Sequence, residues 1–328
     1  MNASQQLETP VVIMVFNRPE KTRRVFEAIR RARPKQLLII ADGARNAAEA
    51  ERCSEVRTII ENGIDWPCIV SKNYSEINLR PKKRISSGLD WVFSLVEEAI
   101  ILEDDCLPDP SFFPFCQELL TRYRDDSRIM QVSGYNFAAR NTKFKISESY
   151  YFSNIGVILG WATWRRAWKN YDVNIMNWPE IKKSNLLLTT LGDAAIVDHY
   201  NHLFDDYYAQ KVDSWDSQWF LTRWIHNGLS VVPATNLVQN IGFDSESTNT
   251  AIDPNDARAH VPVISMTFPL IHPTIITPKT EFDAYVFRYQ LSINRFFTQR
   301  ILWLLKKSFP RLHGLLKDLK ATFKKRRG

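Results

Sequence analysis

The densest group of chemically useful side chains in the sequence is the acidic triplet Glu103-Asp104-Asp105. It directly follows the apolar run Ala99-Ile100-Ile101-Leu102 and precedes Cys106-Leu107-Pro108-Asp109-Pro110. A short apolar run bounded by a proline-rich turn predicts a buried strand, with the carboxylates at its C-terminal end. Side by side and next to a core, three carboxylates repel one another and resist losing water, so they need a positive partner. A hard divalent cation meets that need. Mg²⁺ or Mn²⁺ takes one or two carboxylates and completes its shell with water and substrate phosphates. The triplet therefore suggests a site for a nucleotide diphosphate and its metal, and the competing reading is a solvated acidic turn.

The elements that would position such a site are legible upstream. Residues 10–16 predict a buried strand and residues 20–32 a helix, with Pro19 placed near its start. Leu37-Leu38-Ile39-Ile40 predicts a second strand ending at Asp42-Gly43. A helix through Val56, Ile59 and Ile60 follows, then a short strand at 68–70, an amphipathic helix over 84–98 and the strand that ends in the triplet. Strands alternating with helices predict a mainly parallel α/β sheet flanked by helices. In such sheets ligands bind beyond the carboxyl ends of the strands, where Asn17-Arg18, Asp42-Gly43 and Glu103-Asp104-Asp105 all fall. No GxGxxG and no glycine-rich Lys-Ser/Thr loop follows the first strand, which excludes the dehydrogenase and P-loop ways of holding phosphate.

The second half is less regular. It predicts a helix over 111–124, a strand over 129–133, mostly helix over 191–228 with a break near Val212-Asp213-Ser214, and strands at 229–232 and 236–241. Trp161, Trp164 and Trp168 fall at the spacing of one helix face, which predicts a core stripe, while Arg165 and Arg166 are expected in solvent. The polar stretch 242–259 is long enough to be a functional loop.

At 328 residues and 45% hydrophobic, the chain has the composition of a folded globular protein. Its net charge of +7 is concentrated in 295–328, where Asp318 is the one acid, so the basicity describes a tail rather than the main site. The N-terminal residues lack a basic cluster and an apolar stretch of the signal-peptide kind. No run approaches the roughly 18 apolar residues that span a bilayer. The four cysteines show no CxxC pairing. These features predict a cytoplasmic protein with reduced thiols.

Four segments carry a family resemblance: 11–19; Ile101-Leu102-Glu103-Asp104-Asp105-Cys106-Leu107-Pro108-Asp109-Pro110-Ser111-Phe112-Phe113; Gly160-Trp161-Ala162-Thr163-Trp164; and Ser214-Trp215-Asp216-Ser217-Gln218-Trp219. Over about residues 10–250 the chain resembles inverting glycosyltransferases of the GT-A fold, in particular the N-acetylglucosaminyltransferase I superfamily and its bacterial relatives. The resemblance implies that Asp105 ligates Mn²⁺ or Mg²⁺ between the donor phosphates, and that Glu103 and Asp104 contact ribose, sugar or metal-bound water. It implies that Asp42 binds the uracil ring, that Asn17 or Arg18 lines the nucleotide pocket, and that Gly160-Trp161 approaches the donor sugar. By the same match Asp216 is the candidate general base; the family's second Asp is displaced here, so Asp213 competes with it, and Asp216 could instead cap a helix from about Ser217. Relatives carry a metal-binding histidine in the loop after Gly242. This chain has Asn249 there, leaving His260 and His272 as substitutes.

The resemblance divides the chain into a nucleotide-sugar-binding half (1–134), an acceptor-binding and catalytic half of the same domain (135–290) and the tail (291–328). The tail interleaves Leu302, Trp303, Leu304, Leu305, Phe309 and Phe323 with Lys and Arg, which suits a peripheral helix on an anionic membrane, with packing on the body as its competitor. The resulting expectation is a metal-dependent hexosyl or N-acetylhexosaminyl transferase of cell-surface polysaccharide synthesis. It would use a UDP-sugar donor and a glycan or lipid-linked acceptor at the inner face of the membrane, with no nucleic-acid partner. The rivals are a sugar-phosphate nucleotidyltransferase and an inactive, membrane-associated binding protein of the same fold.

Overall fold

The structure is a computed structural model and describes residues 6–141, 143–243 and 260–290. The chain forms two compact units, Met1–Asp283 and Ala284–Gly328; in the second, the described residues are the end of one helix, and the expected basic tail lies outside them. In the first unit β1 (Val11–Val15), β2 (Gln36–Ala41), β3 (Ile69–Tyr74) and β4 (Glu98–Glu103) alternate with α1 (Pro19–Ala32), α2 (Ala47–Gly63) and α3 (Arg80–Leu95). All four strands run parallel, in the order β3-β2-β1-β4. β1 is buried along its whole length, which is why it appears in the sequence as an unbroken apolar run. β3 lies at the sheet edge and keeps polar Ser71, Lys72 and Asn73, so its apolar signature stops short of its true length.

The sheet continues beyond β4 through β8 (Trp161–Trp164), β6 (Ile129–Ser133), β9 (Leu229–Pro233) and β7 (Tyr150–Ser153). β8 is antiparallel to both β4 and β6, β9 is parallel to β6, and β7 is antiparallel to β9. The expected α/β architecture, a mixed and mainly parallel sheet flanked by helices, is therefore present. A small ribbon pairs β5 (Cys106–Pro108) with β10 (Val238–Asn240). The remaining helices are α4 (Phe112–Arg122), α5 (Arg165–Trp168), α6 (Trp178–Lys183), α7 (Leu186–Leu191), α8 (Ala194–Tyr208), α9 (Asp216–Ile225) and α10 (Thr280–Gln290). Among the described residues no helix is long and apolar enough to cross a membrane.

Strand alternation sorts the core into two layers. Val11, Ile13, Ile39, Ile100 and Leu102 face α1 and α4 through Val25, Phe26, Phe115 and Leu119. Val12, Met14, Leu38, Ile101 and Met130 face the other way, onto Leu89 and Val92 of α3 and Trp219 of α9. One sequence expectation fails here. Trp161 and Trp164 do not share a helix face, because they lie on a strand. Trp164 joins the α4 layer, while Trp161 and Trp168 join the α9 layer. A strand running into a short helix imitated the helical spacing. Arg165 and Arg166 are only partly solvated: Arg165 pairs with Glu97 and donates to the Phe93 carbonyl, and Arg166 donates to the carbonyls of Tyr123, Arg124 and Ile129.

Candidate active site

Parallel register brings the expected residues to one edge. Val15 pairs with Ala41, and Met14 with Glu103, so β1, β2 and β4 end at nearly one level. Asn17-Arg18, Asp42 and the triplet continue from those ends. Arg18 caps the start of α1, and its Nη1 donates to Asp104 Oδ1 at 3.1 Å and to Asp105 Oδ2 at 3.0 Å. Asn17 turns away from its neighbour and donates to Glu49 Oε1 at 3.2 Å, next to the Arg45–Glu49 pair.

Glu103 is the last residue of β4 and shares a face with Ala99 and Ile101, which places it toward α9. Asp216 is the first residue of that helix. Burial, then the negative charges of Asp105, Asp104 and Asp216, push Glu103 up to about 8, against the opposing pull of Arg18. Burial pushes Asp104 up to about 7, although Arg18 and Lys21 pull it down. Asp216 is thus close enough to the triplet to influence it electrostatically.

Asp216 itself is firmly held. Tyr207 Oη at 3.0 Å, Ser214 Oγ at 2.7 Å and the Ser217 N–H at 2.8 Å all donate to Oδ1. Oδ2 accepts none of these bonds. The carboxylate lies within the first turn rather than capping N2 or N3, and the helix N-terminus favours its negative charge. Asp213 lies on the α8–α9 connection, where its charge acts on Lys82.

Asp42 is buried and accepts the N–H groups of Gly43 and Leu79 on Oδ1, each at 2.9 Å. Gly43 admits no side chain, because a Cβ there would collide with the Ile77 backbone. Gly160 has φ +60° and lies against Val238 and Leu102, with its carbonyl bound by the Gly134 N–H at 2.7 Å. Trp161, only 1% exposed, packs on Trp168, Trp215 and Trp219, and its Nε1 has no partner. It supports the floor beside Asp216 and offers no open ring face.

Two residues escape the sequence reasoning. Arg84, buried on α3, donates to Asn73 through Nη2, lies near enough to Asp42 to feel its charge, and leaves Nε without a partner. A charge on the apolar stripe four residues before Gly88 was the available signal. Gly242 passes so close to the triplet that a Cβ would sit 2.5 Å from Asp105 Oδ2, and the Ile241 N–H binds the Asp105 carbonyl at 2.9 Å. The loop after it, including Asn249, lies outside the described residues. His272 is committed elsewhere: Nδ1 meets Tyr150 Oη at 3.0 Å and Nε2 lies 3.3 Å from Glu118. Both ring nitrogens are therefore engaged away from Asp105, which removes it as a third metal ligand. His260 is exposed on the segment that resumes after the loop.

Among the described residues no three His, Cys, Asp or Glu side chains are arranged to hold a metal. The donor set nevertheless suits Mg²⁺ or Mn²⁺, which are commonly held by one or two carboxylates plus ligand phosphates. Burial and the neighbouring carboxylates both disfavour charge on Glu103, against the pull of Arg18, and a cation would favour the charged forms of the cluster.

No family model and no curated protein matches the chain. Among solved structures it is similar to a UDP-glucose pyrophosphorylase complexed with UDP-glucose, at 11% identity and a TM-score of 0.26. That alignment covers 44% of this chain, which spans 62% of the pyrophosphorylase. It is also similar to mouse xyloside xylosyltransferase 1 in its apo form, at 13% identity and a TM-score of 0.31, covering 68% of this chain and 85% of that one. Both scores are too low for either likeness to carry a functional argument.

Proposed function

We propose that the chain is a metal-dependent glycosyltransferase of the GT-A arrangement that transfers a sugar from a UDP-type donor to a glycan or lipid-linked acceptor, with inversion. The observation that supports this reading is that Asp216, at the start of α9, lies near enough to Glu103 to act on it electrostatically, with its printed hydrogen bonds from the described residues all on Oδ1. In this reading Asp42, at the neighbouring strand end, accepts an N–H of the nucleobase through Oδ2, and Arg84 lines the same wall. Arg18 lies beside the diphosphate. Asp105 would hold Mg²⁺ or Mn²⁺, which when bound would supply neutralising charge for the departing nucleoside diphosphate.

Inverting transfer is an in-line displacement. The acceptor hydroxyl oxygen bonds to the anomeric carbon as the bond from that carbon to the phosphate oxygen breaks. The hydroxyl proton passes to Asp216 Oδ2, while three donors hold Oδ1 and fix the direction of the lone pairs. The tryptophan floor keeps water from the base on that side. The nucleotidyltransferase alternative lacks the glycine-rich basic loop it would place after β1, where this chain has Phe16-Asn17-Arg18-Pro19.

A thermal-shift screen of nucleotide sugars with and without Mn²⁺ tests the reading. The expected pattern is stabilisation by a UDP-sugar that requires metal, is lost in Asp105→Ala and persists in Asp216→Ala. Equal stabilisation of Asp105→Ala would contradict the metal assignment.

A further inference from the structure

Asp105 meets a second segment of the chain through the small ribbon. β10 pairs with β5 in antiparallel register, with Asn240 opposite Cys106, and the Ile241 N–H binds the Asp105 carbonyl at 2.9 Å. These bonds fix residues 240–242 directly beside the carboxylate. Gly242 then passes closest to it. A Cβ there would stand 2.5 Å from Asp105 Oδ2 and 3.0 Å from Asn240 Oδ1. Gly242 does not have the positive φ that calls for glycine at Gly156, Gly160 and Gly192. What excludes a side chain at 242 is the approach of two oxygens, one from each strand of the ribbon.

The orientation of the Asn240 amide is set by its own turn. The Gly242 N–H donates to Asn240 Oδ1 at 2.7 Å, so the oxygen, not the amino group, faces the glycine. An amide oxygen has two lone pairs, and this bond takes one. On the other side Asp105 Oδ2 accepts from Arg18 Nη1 at 3.0 Å, so a positive group is already drawn to that oxygen. Two oxygens that only accept are thus turned toward one side of the same glycine. No hydrogen bond can join them, and a positive charge shared between them removes their repulsion. Carboxylate and amide carbonyl oxygens are both ligand types that suit Mg²⁺ and Mn²⁺.

We propose that Asn240 Oδ1 is a further protein ligand of the cation held by Asp105, and that Gly242 carries no side chain so that the approach between the two oxygens stays open. This inference rests on the metal assignment to Asp105. It places the additional ligand on the ribbon before the polar loop, where His272 cannot reach, and makes it an amide oxygen rather than an imidazole.

The test titrates Mn²⁺ into the full chain, alone and with UDP, and reads the bound ion by electron paramagnetic resonance, with Cd²⁺ read by competition. Asp105→Ala is expected to abolish binding. Asn240→Ala should weaken it about tenfold, and Gly242→Ala should weaken it as well. Gln239→Ala, an exposed neighbour on β10, should leave it unchanged. Asn240→Cys gives a readout that a loosened ribbon would not move. A thiolate favours softer ions, so the preference for Cd²⁺ over Mn²⁺ should rise by about tenfold or more above that of the unaltered chain. This variant decides the matter if Asn240→Ala fails to fold, which melting in a chelator reports. The proposal is overturned if Asn240→Ala binds Mn²⁺ as tightly as the unaltered chain, or if Asn240→Cys leaves the preference unchanged, while Asp105→Ala still abolishes binding. The metal assignment then stands on Asp105 without Asn240. Undiminished binding by Asp105→Ala, or no binding by the unaltered chain with or without UDP, overturns the metal assignment and this proposal with it.

Discussion

Glu103 and Asp216 lie on different elements, near enough for the Asp216 charge to act on Glu103, and they are built in opposite ways. Asp216 begins a helix and receives three hydrogen bonds on one oxygen. Glu103 ends a strand, receives no side-chain hydrogen bond among the described residues, and is pushed up to about 8 by burial and by three neighbouring carboxylates. The first is organised to carry charge in a fixed direction. The second is destabilised when charged and waits for a cation or a hydroxyl. The proposed transfer needs both kinds of group, a base held in one orientation and a cluster that gains from binding.

The largest expected effect follows from the proposed base. Asp216→Asn keeps the acceptor of the three hydrogen bonds but removes the proton sink, so transfer should fall about a thousandfold while donor binding persists. Steady-state transfer and donor affinity, measured together, check this. If transfer survives and Asp213→Asn abolishes it, the base has been misassigned and the contrast with Glu103 loses its meaning.

Next comes Arg18→Met, which leaves Asp104 and Asp105 partly buried without their counter-charge. Removing one partner of such a pair costs about 3 kcal/mol. Calorimetric unfolding should show that loss without metal and a partial recovery in Mn²⁺. Recovery in Mn²⁺ would identify the arginine as a placeholder for positive charge; no recovery would make it purely structural.

The waiting cluster makes a claim about pH. The folded-state values of Glu103 and Asp104 lie above their ordinary ones. Their contribution to stability is therefore full below about pH 4 and is lost as pH rises through about 7 to 8. Between about pH 4 and 8 the metal-free protein should lose stability, and Glu103→Gln should flatten that slope. Mn²⁺ affinity should rise over the same interval, with release of protons. A slope unchanged in Glu103→Gln would place the titration elsewhere.

How much of this was visible in the sequence depends on the range of the interaction. β1, β2 and β4 are buried on both faces, so local composition predicts them, and the carboxylates at their ends follow. The Arg18 pairing is not legible, since it spans 86 positions and depends on the register between β1 and β4. Trp161 imitated a helical stripe because a strand and a short helix happened to place Trp161 and Trp168 in one layer. β7 and the segment around Ile271 are fixed by tertiary bonds, such as Ser149 to Ile271, that leave no periodic trace. Asp216 was found by resemblance; the three donors that give it one free oxygen appeared only with the fold.

The smallest expected effect bears on how Asp216 is held. Burial and the Asp216 charge push the Tyr207 phenol up to about 12, so at neutral pH it keeps its proton and donates. Tyr207→Phe removes one of three donors without changing the ring. A hydrogen bond to a charged group is worth about 1.5 kcal/mol, so stability should fall by roughly that amount. Transfer should fall no more than about tenfold, because Ser214 and the Ser217 N–H still hold Oδ1. A drop as large as that of Asp216→Asn would mean that Tyr207 takes part in proton transfer itself. A loss of stability with no change in rate would mean that orientation of the carboxylate, on which the contrast with Glu103 rests, is set by the serines and the helix alone.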